Sequence, residues 1–376
     1  TDDAEEAFRF DVFRRNLAFI DGLNEQHPYA VFGVTQFTDH TDDERNARRV
    51  PEEFASWELM KAQAMPEGVM RDAADATDAR ATTGAGTLVG SRWMKTGQVS
   101  WAMPEDCAAC ALLPELDDYS LADYPDAWDW RDHGAVSSVK NQKYCGSSWA
   151  FATAGDLEGV RYLDEGVLES LSEQQLVACD TDNRGCEGGY PFAAMQYVER
   201  IGGLVTDDTM PYKGICAWDT CGQETVYYGP PVCNTSALND ALRRREPRVA
   251  HIGGWQVVAM GAEYEELLTV ALLKNGPIAV GFNAHGMDYY QHGVMGCDSS
   301  SLCNAGEIDQ HGPCDPSYLD NYVLLVGYGE QDGVDYWVVK NSWGTDWGES
   351  GFYRIVRGSN HCGIANFAVH SVVKQA

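Results

Sequence analysis

The chain has 376 residues, enough for two or three domains with cores of their own at roughly 100–200 residues each. Hydrophobic residues make up 44% and charged residues 22%, which excludes a disordered composition, and no run approaches the roughly 18 consecutive apolar residues of a membrane helix. With 27 Lys and Arg against 57 Asp and Glu the formal charge is −30, a surface that repels phosphate backbones and anionic lipids, so neither a nucleic-acid partner nor a membrane span is expected.

Residues 1–60 are highly charged and predicted helical. Phe13, Leu17, Ile20 and Asn24 recur at i, i+4, i+7 and i+11 and would share a helix face, with Asp2 and Asp3 as candidate caps. His27-Pro28 should end this helix, because the residue before proline is pushed out of the α region. Tyr29 to Phe32 reads as an extended piece and Thr41 to Arg49 as a second helix. Residues 61–123, rich in Ala, Gly, Thr, Met and Asp, read as a connector or insertion. They contain Cys107-Ala-Ala-Cys110, which without a second pair at zinc spacing points to a structural disulfide; no metal and no cofactor are expected.

Residues 124–376 are dense in Gly, Trp, Tyr and Cys. Ser148 to Glu165 reads as a helix, and Val323 to Val326, Tyr336 to Val339 and Phe352 to Val356 as strands between Gly turns. Twelve widely spaced cysteines point to disulfides and the secretory pathway, with an extracellular or a lysosome- or vacuole-like destination. The chain opens at Thr1 without an initiator Met or an apolar leader, as after removal of a signal peptide or trimming. Asn234-Thr-Ser236 is a candidate glycosylation triplet.

The segment Asn141-Gln-Lys-Tyr-Cys-Gly-Ser-Ser-Trp-Ala-Phe151 resembles the active-site segment of the papain and cathepsin family of cysteine peptidases. The resemblance runs through Trp128-Asp-Trp-Arg131, Gly134-Ala-Val136 and Gly185-Cys-Glu-Gly-Gly189 with Tyr190-Pro191, which looks like the substrate-cleft strand. It continues through Pro211-Tyr212, Gly276-Pro277, Val326-Gly-Tyr-Gly329, Lys340-Asn-Ser-Trp-Gly344, Trp347-Gly348 and His361-Cys-Gly-Ile364. Upstream, Glu5, Arg9, Phe13, Asn16, Ile20 and Asn24 follow the spacing of the inhibitory propeptide helix of the cathepsin L-like branch. Gly33-Val-Thr-Gln-Phe37 with Asp39 resembles the propeptide's second motif, with Thr35 where Asn is usual. The implied fold class is α+β: a papain-like pair of subdomains, one helical and one β-barrel-like, meeting at a cleft behind a helical inhibitory prodomain. The implied boundaries are 1–60 for the prodomain, 61–123 for the connector and 124–376 for the peptidase domain.

The resemblance also implies where chemistry should sit. The family's nucleophile is a Cys at the start of the long helix, where the helix N-terminus and an imidazolium lower the thiol pKa. That position is Ser148 here, and Cys145 matches the upstream disulfide cysteine. The general base should be a His six residues before the first Gly of Val326-Gly-Tyr-Gly329; the residue there is Asn321. Gln142 stands at the oxyanion position, Asn341 where the His would be oriented, and Trp343 where that pair would be shielded. All three can also persist for packing and hydrogen bonding alone. Gly188, Gly189, Pro191 and Tyr322 should line the substrate cleft, Tyr322 replacing a small residue near the main specificity pocket. His285, His292 and His311 read as loop histidines rather than displaced bases. A serine without a base is a weak nucleophile, and losing one member of such a pair can cost on the order of a million-fold in turnover.

By the same resemblance Cys145 should pair with Cys186, Cys179 with Cys216 or Cys221, and Cys362 with one of Cys297, Cys303 or Cys314. The remaining cysteines cluster in candidate insertions at about 216–250 and 298–316. The paired departures at 148 and 321 favour an inactive homologue that keeps its own propeptide in the cleft, with the segment after Asp39 running through it. Such a chain would act as a binding or structural module, meeting a protein partner or larger assembly through 61–123 and the insertions. The alternatives are a cysteine endopeptidase zymogen carrying active-site substitutions, and a Ser-based hydrolase or condensing enzyme like the silicateins, which keep the His.

Overall fold

The computed structural model describes residues 3–56, 59–60, 87–88, 124–214, 249–296 and 314–373. Cys107, Cys110, Cys216, Cys221, Asn234, Cys297, Cys303 and His311, with nearly all of the connector and both insertions, lie outside the described residues.

Helix α1 (Asp3–Gln26) places Asp3, Glu5 and Glu6 in its first turn, where carboxylates complement the positive end of the helix dipole. It stops before His27-Pro28, as expected, and the chain enters β1 (Ala30–Phe32). Its buried residues are Val12, Asn16, Ile20 and Leu23, whereas Phe13 and Leu17 are only half-buried. The face is thus rotated by about one residue from the expected stripe, because it centres on Asn16, whose amide donates to Thr38 O (2.8 Å) and His40 O (3.0 Å).

Helix α2 (Asp42–Asn46) is shorter than the expected 41–49. Thr41 caps it in a capping box with Glu44. Beyond it the backbone makes two turns, Arg48 N to Arg45 O and Arg49 N to Asn46 O, and Val50 N then donates to Asp320 O at 2.9 Å. Pro51 precedes α3 (Glu52–Ala55).

Helix α4 (Ser148–Glu165) has the expected bounds and ends on Gly166 in the left-handed region. It lies close against the sheet because two of its residues lack side chains: a Cβ at Gly155 would come 2.8 Å from Leu324, and one at Gly159 2.7 Å from Pro277. Helices α5 (Glu173–Cys179), α6 (Pro191–Ile201) and α7 (Glu265–Asn275) complete the helical elements that matter here. The stretch read as a cleft strand, Gly185 to Pro191, is not one. It is a 3₁₀ turn at Gly185–Glu187, a Gly188 at φ 104°, and then α6, which Pro191 opens at its first turn with its fixed φ.

The described strands β1, β2 (Thr87–Leu88), β3 (Trp128–Asp129), β4 (Ile252–Ala259), β5 (Ile278–Phe282), β6 (Tyr290–Met295), β7 (Asn321–Gln331), β8 (Val334–Lys340), β9 (Phe352–Val356) and β10 (Ala368–Val373) form one sheet. Its order is β1-β6-β9-β8-β7-β5-β10-β4-β2, with β3 beside β7. The central strand β7 pairs antiparallel with β5 and β8, and its first residue, Asn321, faces Phe282.

Two cores result. One gathers Trp130, Trp337, Trp347, Tyr353 and Ile355 in the β-rich half; the other gathers Trp149, Leu176, Met195, Phe192 and Phe367 in the helical half. Ile20, Phe32 and Phe37 join the first, while Val50, Phe54 and Met60 join the second. The N-terminal region is therefore built into both halves by apolar burial. Cys145 bonds Cys186 as expected, and Cys362 bonds Cys314. Cys179 is also in a disulfide, its expected partners lying outside the described residues.

Candidate active site

Ser148 stands at the first turn of α4, fully buried, and its Oγ accepts the backbone N–H of Tyr322 at 3.1 Å. The start of the long helix and the start of β7 thus meet within one hydrogen bond, because α4 packs directly on β7. Asn321 is also fully buried, and its amide donates to Asn341 Oδ1 at 3.3 Å. Asn341 Oδ1 accepts the Ser342 backbone N–H as well, at 2.8 Å. Gln142 closes the group: its Oε1 accepts the Ser342 hydroxyl at 2.6 Å, and its Nε2 donates to Cys145 O (2.8 Å) and Arg48 O (2.7 Å). The Trp343 indole packs against Trp347, Phe37 and the Arg48 guanidinium, with ring centroids 5.0 and 5.9 Å away and the cation 5.6 Å away.

The chemistry of this group is that of neutral amides and hydroxyls. An amide takes up no proton near neutral pH, so Asn321 is not a general base for Ser148.

A charged cluster adjoins it. Arg48 Nη2 lies 2.7 Å from Asp288 Oδ1, Arg49 Nη2 2.6 Å from Asp288 Oδ2, and Arg49 Nε 3.3 Å from Asp320 Oδ2, with all four side chains at most 8% exposed. Asp320 Oδ1 also accepts the Ala284 N–H at 2.6 Å. Burial alone would push the Asp288 carboxyl up; Arg49 and Arg48 outweigh it and hold the group below the usual carboxylate range. At Asp320 burial dominates Arg49 and the carboxyl lies above that range.

Residues 51–56, 59 and 60 lie along the other wall. Gly188 is tight against them: a Cβ there would come 2.9 Å from the Phe54 ring and 3.0 Å from Pro51, at a positive φ. Phe54 packs 5.1 Å from the Tyr190 ring, and Ala55 O accepts the Leu319 N–H at 2.7 Å. Tyr322 is fully buried, edge-on to Phe367, with its hydroxyl 3.8 Å from Met60 Sδ. Of the four expected cleft residues, Gly188 and Tyr322 touch the N-terminal region. Gly189 abuts Asn183, and Pro191 opens α6.

The residues of the N-terminal motif hold the chain that follows α1. Arg9 joins Glu5 (2.7 Å) to Glu44 (2.6 Å), and its hydrogen bonds pull the Glu44 carboxyl down to about 2. It also donates to Asp39 O. Asn24 exchanges two hydrogen bonds with the Phe32 backbone, both 2.9 Å. Gly33 N donates to Tyr289 O, where a Cβ would strike the Gln291 side chain. Thr35 Oγ1 donates to Asp288 O at 2.8 Å. Among the described residues, Cys314, His361 and Cys362 bring three metal-type donor atoms within 4.8 Å, but the two sulfurs are bonded to each other.

The comparisons with known proteins agree with this geometry. Residues 124–372 match the papain family cysteine protease pattern, and residues 1–44 the cathepsin propeptide inhibitor domain. The chain belongs to the papain family. It is 38% identical over 257 residues to cathepsin F of Mus musculus, covering 66% of this chain and 46% of that one. To cathepsin F of Drosophila melanogaster it is 31% identical over 377 residues, covering 98% and 47%. To cysteine proteinase 1 of Zea mays it is 37% identical over 382 residues, covering 96% and 79%. The chain spans about half the length of the two cathepsin F relatives. Among solved structures it resembles the digestive procathepsin L2 proteinase of Tenebrio molitor larval midgut, with a TM-score of 0.67 and 28% identity over 99% of this chain and 95% of that one. A recombinant stem bromelain precursor matches at a TM-score of 0.65 and 26% identity, over 100% and 94%. The papain-like fold and the zymogen order, propeptide region before peptidase domain, follow. Among the described residues no helix is long and apolar enough to cross a membrane.

Sequence reasoning missed Arg48, Arg49, Asp288, Asp320 and Ser342. The adjacent arginines before Val50-Pro51 are a visible signal, but their carboxylate partners are 240 and 239 residues away.

Proposed function

We propose that this chain is a catalytically inactive papain-family homologue, a pseudopeptidase that retains its propeptide in the substrate cleft and acts as a binding or structural module. What supports this reading is the buried Ser148–Asn321–Asn341 group: a serine and two amides stand at the positions that the sequence resemblance assigns to the family's Cys, His and Asn. Neither Ser148 nor Asn321 supplies the thiolate–imidazolium pair on which the family's chemistry depends. By the same resemblance Gln142 takes the oxyanion position and Trp343 the shielding position. It makes 1–60 the prodomain, 61–123 the connector and 124–376 the peptidase domain, supported by the matched spans 1–44 and 124–372.

Occupancy of the cleft by 48–60 is supported by the Gln142 donation to Arg48 O, the packing of Phe54 on Gly188 and the contact of Met60 with Tyr322. While residues 48–60 occupy the cleft, partner binding falls to the connector 61–123 and the insertions near 216–250 and 298–316. The disulfides Cys145–Cys186 and Cys314–Cys362 support a secretory, lysosome- or vacuole-like setting. The test is an epoxide or vinyl-sulfone probe directed at papain-family thiolates, applied after acidification. No covalent adduct at residue 148 is expected; stoichiometric labelling there contradicts the reading.

A further inference from the structure

We propose that the buried pair Asp288 and Asp320 is an arginine-selective anchor, and that the ligand class of this cleft is a peptide carrying adjacent arginines. The inference rests on the cleft assignment above and names what that cleft selects. Arg48 and Arg49 are its present occupants. Each acidic side chain is at most 4% exposed, and Arg49 spreads its guanidinium over three acceptors: Asp288 Oδ2 at 2.6 Å, Asp320 Oδ2 at 3.3 Å and Ala284 O at 3.2 Å. Nη2 donates to Asp288 Oδ2 and Ala284 O while Nε lies within ion-pair distance of Asp320, so one planar cation spans two carboxylates with nitrogens at a fixed spacing, which a lysine ammonium, a single point of charge, lacks. Arg48 takes the remaining oxygen of Asp288 and lies against Trp343.

The anchor is tied to the neutral site by the backbone. The carbonyl of Arg48 accepts Gln142 Nε2, and a Cβ on Gly146 would come 2.8 Å from Arg49 O, so the arginine pair lies across the first turn of α4. Asp320 immediately precedes Asn321, and Val50 N donates to Asp320 O. Backbone and side chains of one dipeptide therefore read one surface.

The elements supplying the carboxylates belong to the peptidase domain. Asp288 lies in the 3₁₀ turn Met287–Tyr289 before β6, where the Thr35 hydroxyl donates to Asp288 O and the Trp347 indole to Met287 O, and Asp320 lies before β7. If Arg48 and Arg49 leave, the two buried carboxylates lose their ion-pair partners, a state that favours uptake of another guanidinium. The chain's overall charge of −30 adds long-range attraction for a cationic peptide.

The test uses the full chain with Arg48→Gln and Arg49→Gln. Two labelled tetrapeptides are titrated by fluorescence anisotropy: acetyl-Arg-Arg-Val-Pro-amide, which copies residues 48–51, and the same peptide with citrulline, the neutral isostere, at both arginines. The arginine peptide should bind at least about tenfold more tightly, and adding Asp288→Asn should bring the two within about twofold, since charge-assisted contacts to the buried carboxylate carry the preference. Equal binding of the two peptides, binding of neither, or a preference that survives Asp288→Asn overturns the proposal. If the double variant does not fold, its refolding yield with each peptide makes the same distinction: rescue by the arginine peptide alone supports the anchor, and rescue by both or neither overturns it. Loss of arginine preference leaves catalytic inactivity standing. Cleavage of the peptide during the titration contradicts inactivity and leaves the anchor standing.

Discussion

Two polar clusters lie side by side where the helical and β-rich halves meet, and they differ in kind. Ser148, Asn321, Asn341 and Gln142 are neutral and hydrogen-bonded among themselves and to backbone. Arg48, Arg49, Asp288 and Asp320 are charged, buried and joined by three ion pairs. The charged cluster ties Arg48 and Arg49 to Asp288 and Asp320, whereas the neutral one contributes hydrogen bonds only. The same backbone scaffold serves both clusters, since Asp320 and Asn321 are neighbours and Gln142 touches Arg48.

The largest expected effect comes from charging the neutral cluster. Ser148→Cys alone should remain inactive, because no imidazole is present to share the proton. Ser148→Cys with Asn321→His should exceed it in hydrolysis of a fluorogenic peptide by on the order of 10³-fold or more, once residues 1–60 are released. Equal activity of the two variants would break the contrast. Neutralising the charged cluster is the converse change. Asp288→Asn removes the ion pair of Arg48 and leaves Arg49 with Asp320 alone, and should destabilise the chain by about 3–5 kcal/mol, read as a lower urea midpoint. Gly188→Ala probes the wall that meets Phe54. A side chain at φ 104°, 2.9 Å from that ring, should cost about 1–3 kcal/mol and expose residues 51–60 to proteolysis without altering the ion pairs.

The smallest expected effect is that of mild acid. Because the Asp288 carboxyl is depressed, its contribution is fully present above the unfolded-state carboxylate pKa near about 4 and is lost only as pH falls through the lower folded value. Asp320, raised by burial, acts in the opposite sense, since protonation relieves its cost as pH falls. Between pH 8 and 5 the N-terminal region should therefore stay docked, with unchanged protease sensitivity; release near pH 5 would show that Asp288 does not govern docking.

Several elements were legible because one local signal sufficed. Helix α4 runs from Ser148 to the Gly that stops it, β9 is an apolar run between glycines, and His27-Pro28 ends α1. The family resemblance placed Arg9, Asn16 and Asn24 in the propeptide motif and implied the Cys145–Cys186 bond. Other features had no local signal. Helix α7 buries Leu268 through Leu273 on all sides, so no stripe marks it. The run from Gly185 to Pro191 reads as strand until Asn183 is seen folding it back, its Oδ1 accepting the Tyr190 N–H at 2.8 Å. Phe13 gives way to Val12 on the buried face because Asn16 sets the rotation of α1. The arginine anchor joins residues from opposite ends of the chain, and only the tertiary fold reveals it.

The central claim is that the group around Ser148 has no catalytic power. Its most direct measurement is single-turnover hydrolysis of a fluorogenic peptide by the unmutated protein, after limited proteolysis has detached residues 1–60, followed from pH 4 to 8. The account predicts no release above the protein-free rate at any pH. A rate that rises with protein concentration and is abolished by Ser148→Ala would contradict it.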